Sequence, residues 1–86
     1  MTEMAQKTFQ VNIHSREKAL YDGRAVSVIV PCQSGYLGIL ADHAPLAAKL
    51  SSGKITLRSP EGNTSVIDSC ADGFLEVVKN QVTILF

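Results

Sequence analysis

Ser34, Asp42 and His43 place a hydroxyl, a carboxylate and an imidazole within one stretch, "SGYLGILADHAP", and Cys32 stands just ahead of it. Nucleophilic catalysis by this set would use Ser34 or Cys32 as nucleophile, His43 as base and Asp42 to orient the base. The spacing argues against it. Asp42 and His43 are sequence neighbours, whereas a base and its orienter usually come from separate elements, and no G-x-S-x-G turn holds a serine exposed. Gly35 and Gly38 suggest a phosphate cradle, but neither G-x-G-x-x-G nor a Gly-Lys-Ser/Thr ending is present, and no helix is predicted to begin there. Cys32, Cys70, His14 and His43 lack the paired C-x-x-C or H-x-x-x-H spacings of a zinc site. The expectation is a chain without a catalytic group, metal or cofactor.

The elements that must carry these residues belong to one small domain. With 86 residues, 45% hydrophobic and 19% charged, the chain has the composition of a globular domain with a single modest core. Eight Lys and Arg balance eight Asp and Glu, so nothing steers it toward nucleic acid or an anionic membrane. No apolar run approaches the roughly 20 residues of a spanning helix, and "MTEMAQKTFQ" lacks the apolar stretch of a signal peptide. The expected compartment is the cytosol. Cys32 and Cys70 each sit in a strand-like run, where buried, reduced thiols are expected rather than a disulfide.

"TFQVNIH" alternates Phe9, Val11 and Ile13 with polar residues, the period-two pattern of a half-buried strand, with His14 pointing outward. Tyr21 to Gly23 reads as a turn, and "RAVSVIVP" as a strand ended by Pro31. Gln33 to Gly35 makes the next turn, and "YLGIL" is a short strand interrupted at Gly38, where a bulge or a close backbone approach is expected. "LAAKLSSG" is mixed, leaning to strand. "KITLRSP" and "TSVIDSC" form a hairpin across "EGN", with Gly and Asn supplying positive φ, and "GFLEVV" and "VTILF" form another across "KNQ". Asp22-Gly23 and Asp72-Gly73 read as turn residues. Short strands with frequent turn signals and no convincing helix predict an antiparallel β-sandwich.

In their order along the chain, "FQVNIHSREKALYDGRAVSVIVP", "GYLGILADHAPL", "SGKITL" and "ADGFLEVVKNQVTILF" resemble the N-terminal domain of the epsilon subunit of rotary ATP synthases, called delta in mitochondria. The family shows a similar G-x-L-G-I-x-x-x-H-A-P-L core and a G-x-L-E-V-x-x-x-x-V-T-[IV]-L close. The resemblance runs from Phe9 to Phe86 and implies one β-sandwich of about ten strands over 9–86, with residues 1–8 expected to be a flexible N-terminus. It further implies a non-catalytic rotor subunit of the central stalk, joining the gamma subunit to the c ring and coupling proton translocation to ATP synthesis. Such a subunit lies peripherally on the cytoplasmic face of the bacterial inner membrane.

Carried over by residue, the resemblance turns Pro31, Ser34, Gly35, Tyr36, Leu37 and Gly38 toward the c ring, and Ser15, Asp42, His43, Ala44 and Pro45 toward gamma. Glycines would let a partner's backbone approach closely, His43 would offer an imidazole, and Leu37 a small apolar anchor. Two residues depart from the family: Tyr36 stands where many bacterial relatives are acidic, and Asp42 where Gly or Asn is usual. Tyr36 is expected to contact the ring as an aromatic, and Asp42 to tolerate a left-handed backbone. The helical hairpin that follows in most relatives has no counterpart in the sequence, so coupling is expected without epsilon-type inhibition and without ATP binding. The rival reading is a small ligand-binding β-sandwich, with the glycine loop as pocket rim. It is poorly equipped, with no Trp and only Tyr21 and Tyr36 beside three Phe.

Overall fold

A computed structural model describes residues 7–86, so the N-terminal stretch expected to be flexible lies, for residues 1–6, outside the described residues. Nine strands follow one another: β1 (Phe9–His14), β2 (Ala19–Ala25), β3 (Ser27–Cys32), β4 (Gly35–Leu40), β5 (Leu46–Leu50), β6 (Gly53–Arg58), β7 (Thr64–Ser69), β8 (Gly73–Val78) and β9 (Gln81–Leu85). No helix of the described residues is long and apolar enough to cross a membrane. The all-β sandwich expected from alternation is present, with nine strands among the described residues where about ten were expected.

All nine strands form one sheet in the order β2-β1-β9-β8-β5-β3-β6-β7, with β4 added to the far side of β3. The sheet folds over on itself at the β5–β3 junction, where a single pair, Cys32 with Leu50, joins the halves. Ser51 N–H donates to the Pro31 carbonyl at 3.0 Å beside it. The chain crosses between layers there, because β5 pairs with β8 and the following β6 pairs with β3 and β7. One pairing, β1 with β9, is parallel. Alternation is blind to strand direction, so this could not be read from the pattern.

The inner faces follow the period of two. Phe9, Val11 and Ile13 from β1, Val28 and Val30 from β3, Ile55 and Leu57 from β6, and Leu75, Val77, Val82 and Ile84 from the last hairpin are buried in one cluster. Each contributes about 1.5–3 kcal/mol of transfer free energy. Among the described residues no buried side-chain polar atom lacks a partner. Ser69, the one buried polar side chain named among them, donates to the Ala71 carbonyl at 2.7 Å.

Several local expectations give way to the structure. Tyr21 to Gly23 is no turn but the middle of β2, paired with Val11 to Ile13. The Tyr21 ring lies over Gly23, about where a Cβ would touch it at 3.5 Å, and its hydroxyl donates to the Arg24 carbonyl, so the side chain covers the gap a strand glycine leaves. The actual turn is Ser15–Lys18, closed by Ser15 N–H to the Lys18 carbonyl at 2.9 Å. Arg24 and Ala25 accordingly belong to β2. Pro31 does not end β3, which runs on to Cys32. The Pro31 carbonyl faces the β5–β6 side, so its missing N–H does too, and pairing with β6 has already stopped at Ile29. At Gly38 there is neither bulge nor close approach: β4 pairs with β3 in unbroken register, and nothing lies within 4 Å of a Cβ built there. Gly73 is the first residue of β8 and no turn residue. Cys70 follows β7 in an exposed connection; it and Cys32 are free thiols.

Both hairpins form as expected. In the first, Gly62 alone takes positive φ, at 93°, while Asn63 donates its N–H to the Ser59 hydroxyl. In the second, Lys79 (φ 48°) and Asn80 (φ 61°) are the two central residues of a tight turn with both φ positive, the twist-matched type I′ geometry.

Candidate functional site

Strand parity on the β3–β4 hairpin decides which side chains a partner could meet. Val28, Val30, Leu37 and Ile39 point inward, which turns Ile29, Tyr36, Gly38 and Leu40 outward. Register places Gly38 directly opposite Ile29, Leu40 opposite Ser27, and Thr56 and Val66 in line beyond Ile29. Ile29 is 42% exposed, Leu40 64%, Val66 54% and Tyr36 66%, an apolar stripe across the outer face of one layer. Gly38 leaves the flank of Ile29 open. Lys54 and Asp68 pair at 2.9 Å at the margin of this stripe, across the β6–β7 register.

The stretch expected to be a ring-facing loop is therefore mostly strand. Only Gln33 and Ser34 form the turn between β3 and β4, and Gly35, at φ 127°, needs the freedom of glycine. Pro31 is buried rather than presented, packed close to Gly53. Leu37 packs half-buried against the core and is not a free anchor; the exposed apolar groups are its neighbours Tyr36 and Leu40. Ile29, Leu40 and Val66 escaped the sequence reading, although β-strand parity alone would have turned them outward.

The β4–β5 loop carries Asp42, His43, Ala44 and Pro45. Asp42 adopts the left-handed conformation at φ 64°, as its residue type allows. Its N–H donates to Asn80 Oδ1 at 2.6 Å, its Oδ1 accepts from Asn80 Nδ2 at 2.9 Å, and its Oδ2 accepts from Lys7 Nζ at 2.7 Å. The Lys7 hydrogen bond, then that of Asn80, holds the Asp42 carboxyl below its ordinary value, and the same pair holds Lys7 above its own. His43 Nδ1 donates to the Ala44 carbonyl at 2.8 Å, since a carbonyl can only accept, and this leaves Nε2 for a partner.

Ser15 lies at the other end of the sandwich. β1 begins beside Lys7 and ends beside Ser15, and Asn80, at the Lys7 end, heads β9, which runs parallel to β1. A six-residue strand therefore separates Ser15 from Asp42, roughly 17–20 Å. The Ser15 hydroxyl accepts from the Lys18 N–H at 3.3 Å, so it caps its own turn. Of the residues expected to face gamma, the structure brings Asp42 to Pro45 together and leaves Ser15 apart. Ser34 stands at the Ser15 end, through Cys32 and Leu50, so Ser34, Asp42 and His43 do not converge as nucleophile, orienter and base. Among the described residues no group of three His, Cys, Asp or Glu side chains could hold a metal ion.

The family model described as "ATP synthase, Delta/Epsilon chain, beta-sandwich domain" matches residues 8–86. The chain belongs to this family. ATP synthase epsilon chains similar to it include that of Natranaerobius thermophilus, 37% identical over 95% of this chain and 58% of the relative. That of Dichelobacter nodosus is 40% identical over 90% of this chain and 53% of the relative. The cyanelle chain of Cyanophora paradoxa is 40% identical over 91% and 58%. The chain thus spans little more than half the length of these epsilon chains. In a structure of the Euglena gracilis mitochondrial ATP synthase (OSCP, F1 and c ring), one chain superposes with TM-score 0.83 over 99% of this chain and 52% of that one, at 18% identity. A chain in the Tetrahymena thermophila central stalk and c ring gives 0.72 over 95% and 65%, at 13%. At those identities the likeness is one of fold, and it agrees with the delta/epsilon sandwich described above.

Proposed function

We propose that this delta/epsilon domain is a non-catalytic rotor subunit of an ATP synthase central stalk. It joins gamma to the c ring, so that ring rotation driven by proton translocation reaches the catalytic head, and it works as a peripheral subunit at the cytoplasmic face of the bacterial inner membrane. The single observation that carries this reading is the family match across 8–86. The physical form suits it: a fully packed sandwich deforms little under load, and the outward stripe of Ile29, Leu40 and Val66 is the kind of surface a permanent partner covers.

Within this reading the Gly35–Gly38 side of the β3–β4 hairpin, with Tyr36 as its aromatic contact, serves the c ring. The Asp42–Pro45 loop serves gamma. The rival, a ligand pocket, is weakened by the groove beside Tyr36, about 440 Å³, in which Tyr36 is the only aromatic among the lining residues.

A pull-down with purified gamma, with and without the c ring, tests the proposal. Wild type should be retained by gamma alone and more firmly with the ring; Tyr36→Ala should lose only the ring-dependent part, and His43→Ala the gamma-dependent part. Failure of the folded wild-type chain to be retained by either would end the rotor reading.

A further inference from the structure

Asn80 has more to do than turn a hairpin. Its carbonyl accepts the Gln10 N–H at 3.0 Å, its Oδ1 accepts the Asp42 N–H at 2.6 Å, and its Nδ2 donates to Asp42 Oδ1 at 2.9 Å. Three segments far apart in sequence meet at this one side chain and its backbone: the entry to β1, the β4–β5 loop and the β8–β9 turn. Both partners of the reciprocal pair are left-handed, Asp42 at φ 64° and Asn80 at φ 61°. Here the two turns face one another, and each side chain reaches the other turn. Lys7 closes the remaining Asp42 oxygen from the β1 side.

We propose that Asn80 is a positioning residue, clasping Asp42 so that the Asp42–Pro45 loop is held ready to present His43 to its partner. The inference rests on the reading of that loop as a docking surface. Without the clasp the loop keeps two other side-chain hydrogen bonds among the described residues, the exposed one from Lys7 to Asp42 Oδ2 and the local one from His43 to the adjacent Ala44 carbonyl. A loop ordered before binding spares the complex the cost of ordering it. Asp42 contributes both its N–H and its carboxylate, which makes the pair direction-specific in a way that one hydrogen bond is not.

The test uses the full chain, three single variants and one double variant. Asn80→Gly keeps positive φ available, so the hairpin still forms, but removes both side-chain contacts. Asp42→Gly removes the carboxylate, and Asp42→Asn restores an acceptor and a tolerant backbone. Amide hydrogen exchange at Asp42 and His43 is followed in the free chain, and affinity for purified gamma is measured in parallel. Asn80→Gly should raise exchange at Asp42 about tenfold or more and weaken gamma binding by a similar factor, while amides of β8 and β9 stay protected. Asp42→Asn should resemble wild type in both, and Asn80→Gly with Asp42→Gly together should cost less than the sum of the two. Unchanged exchange at Asp42 in Asn80→Gly overturns the clasp. Raised exchange with undiminished gamma affinity overturns its positioning role. If wild type itself ignores gamma, the docking reading fails, and exchange alone still decides whether Asn80 holds the loop.

Discussion

Gly73 packs so closely against the Leu85 carbonyl that a Cβ at Gly73 would overlap the carbonyl oxygen, with the Phe86 side chain crowding it from the next residue. No flexible side chain can move aside to relieve a backbone overlap. Gly73→Ala should therefore destabilise the domain by about 1–3 kcal/mol, as overpacking of a core does, and should loosen the β8–β9 hairpin first. Urea unfolding together with amide exchange on β9 checks this; a midpoint equal to wild type would refute the geometry.

Gly38 predicts the opposite. A side chain there points into open space, and its backbone is ordinary extended strand. Gly38→Arg should leave the thermal midpoint within about 2–4 °C, since surface changes away from special features stay within about 0.5 kcal/mol. It should nevertheless abolish any binding that covers Ile29. Thermal unfolding and pull-down on the same preparation separate the two, and retained binding would remove the Ile29 stripe from the interface.

The Lys7–Asp42 pair makes a statement about pH. Asp42 titrates below its ordinary 3.8 when folded, so its stabilisation is present above that value and lost as pH falls through the folded one. Lys7 titrates above its ordinary 10.5, so its share is present below that value and lost as pH rises through the folded one. The stability difference between wild type and Asp42→Asn should hence be flat from about pH 5 to 9 and shrink toward both extremes. Both side chains are exposed, so the difference should be small and fall further with salt. Denaturant midpoints across pH measure it, and a difference that does not shrink toward acid pH would show that charge is not its source.

Lys79 holds φ at 48° with no glycine or asparagine to ease it. Lys79→Asn should stabilise the hairpin by about 0.5–1 kcal/mol, because Asn is at home in the left-handed region and Lys is not. The thermal midpoint gives the answer; no gain would mean that contacts of the Lys79 side chain offset its backbone strain.

How far the chain could be read without coordinates varies by the range of the forces involved. Phe9, Val11 and Ile13, or Val82 and Ile84, alternate with polar residues because one face of each strand meets the core, and that pattern is local. The left-handed Asp42 was legible for the same reason. Tyr21 to Gly23 misled because "YDG" carries turn chemistry that is outweighed by pairing with β1, eight to twelve positions earlier in the chain. The parallel β1–β9 pair joins the two ends of the chain and leaves no trace in either strand. At the site, the glycines and His43 announced themselves, whereas Lys7 and Asn80 did not: their parts arise where three distant segments meet. Leu37, expected as an exposed anchor, turned to the core side once parity was known while Tyr36 stayed outward, since a single step along a strand is the difference between core and surface.

The route of the chain from β5 into β6 has a consequence for any torque this domain carries. Because a continuous run leaves one layer and enters the other at Ser51–Ser52, the two layers are tied by backbone as well as by the core between them. A twist applied at the Ile29–Leu40 face reaches the opposite face, where Phe74 and Leu85 stand outward, through the shared core and, at this crossing, through covalent backbone, the Cys32–Leu50 pair and the Ser51–Pro31 hydrogen bond. The two faces turn together, with little lag between them.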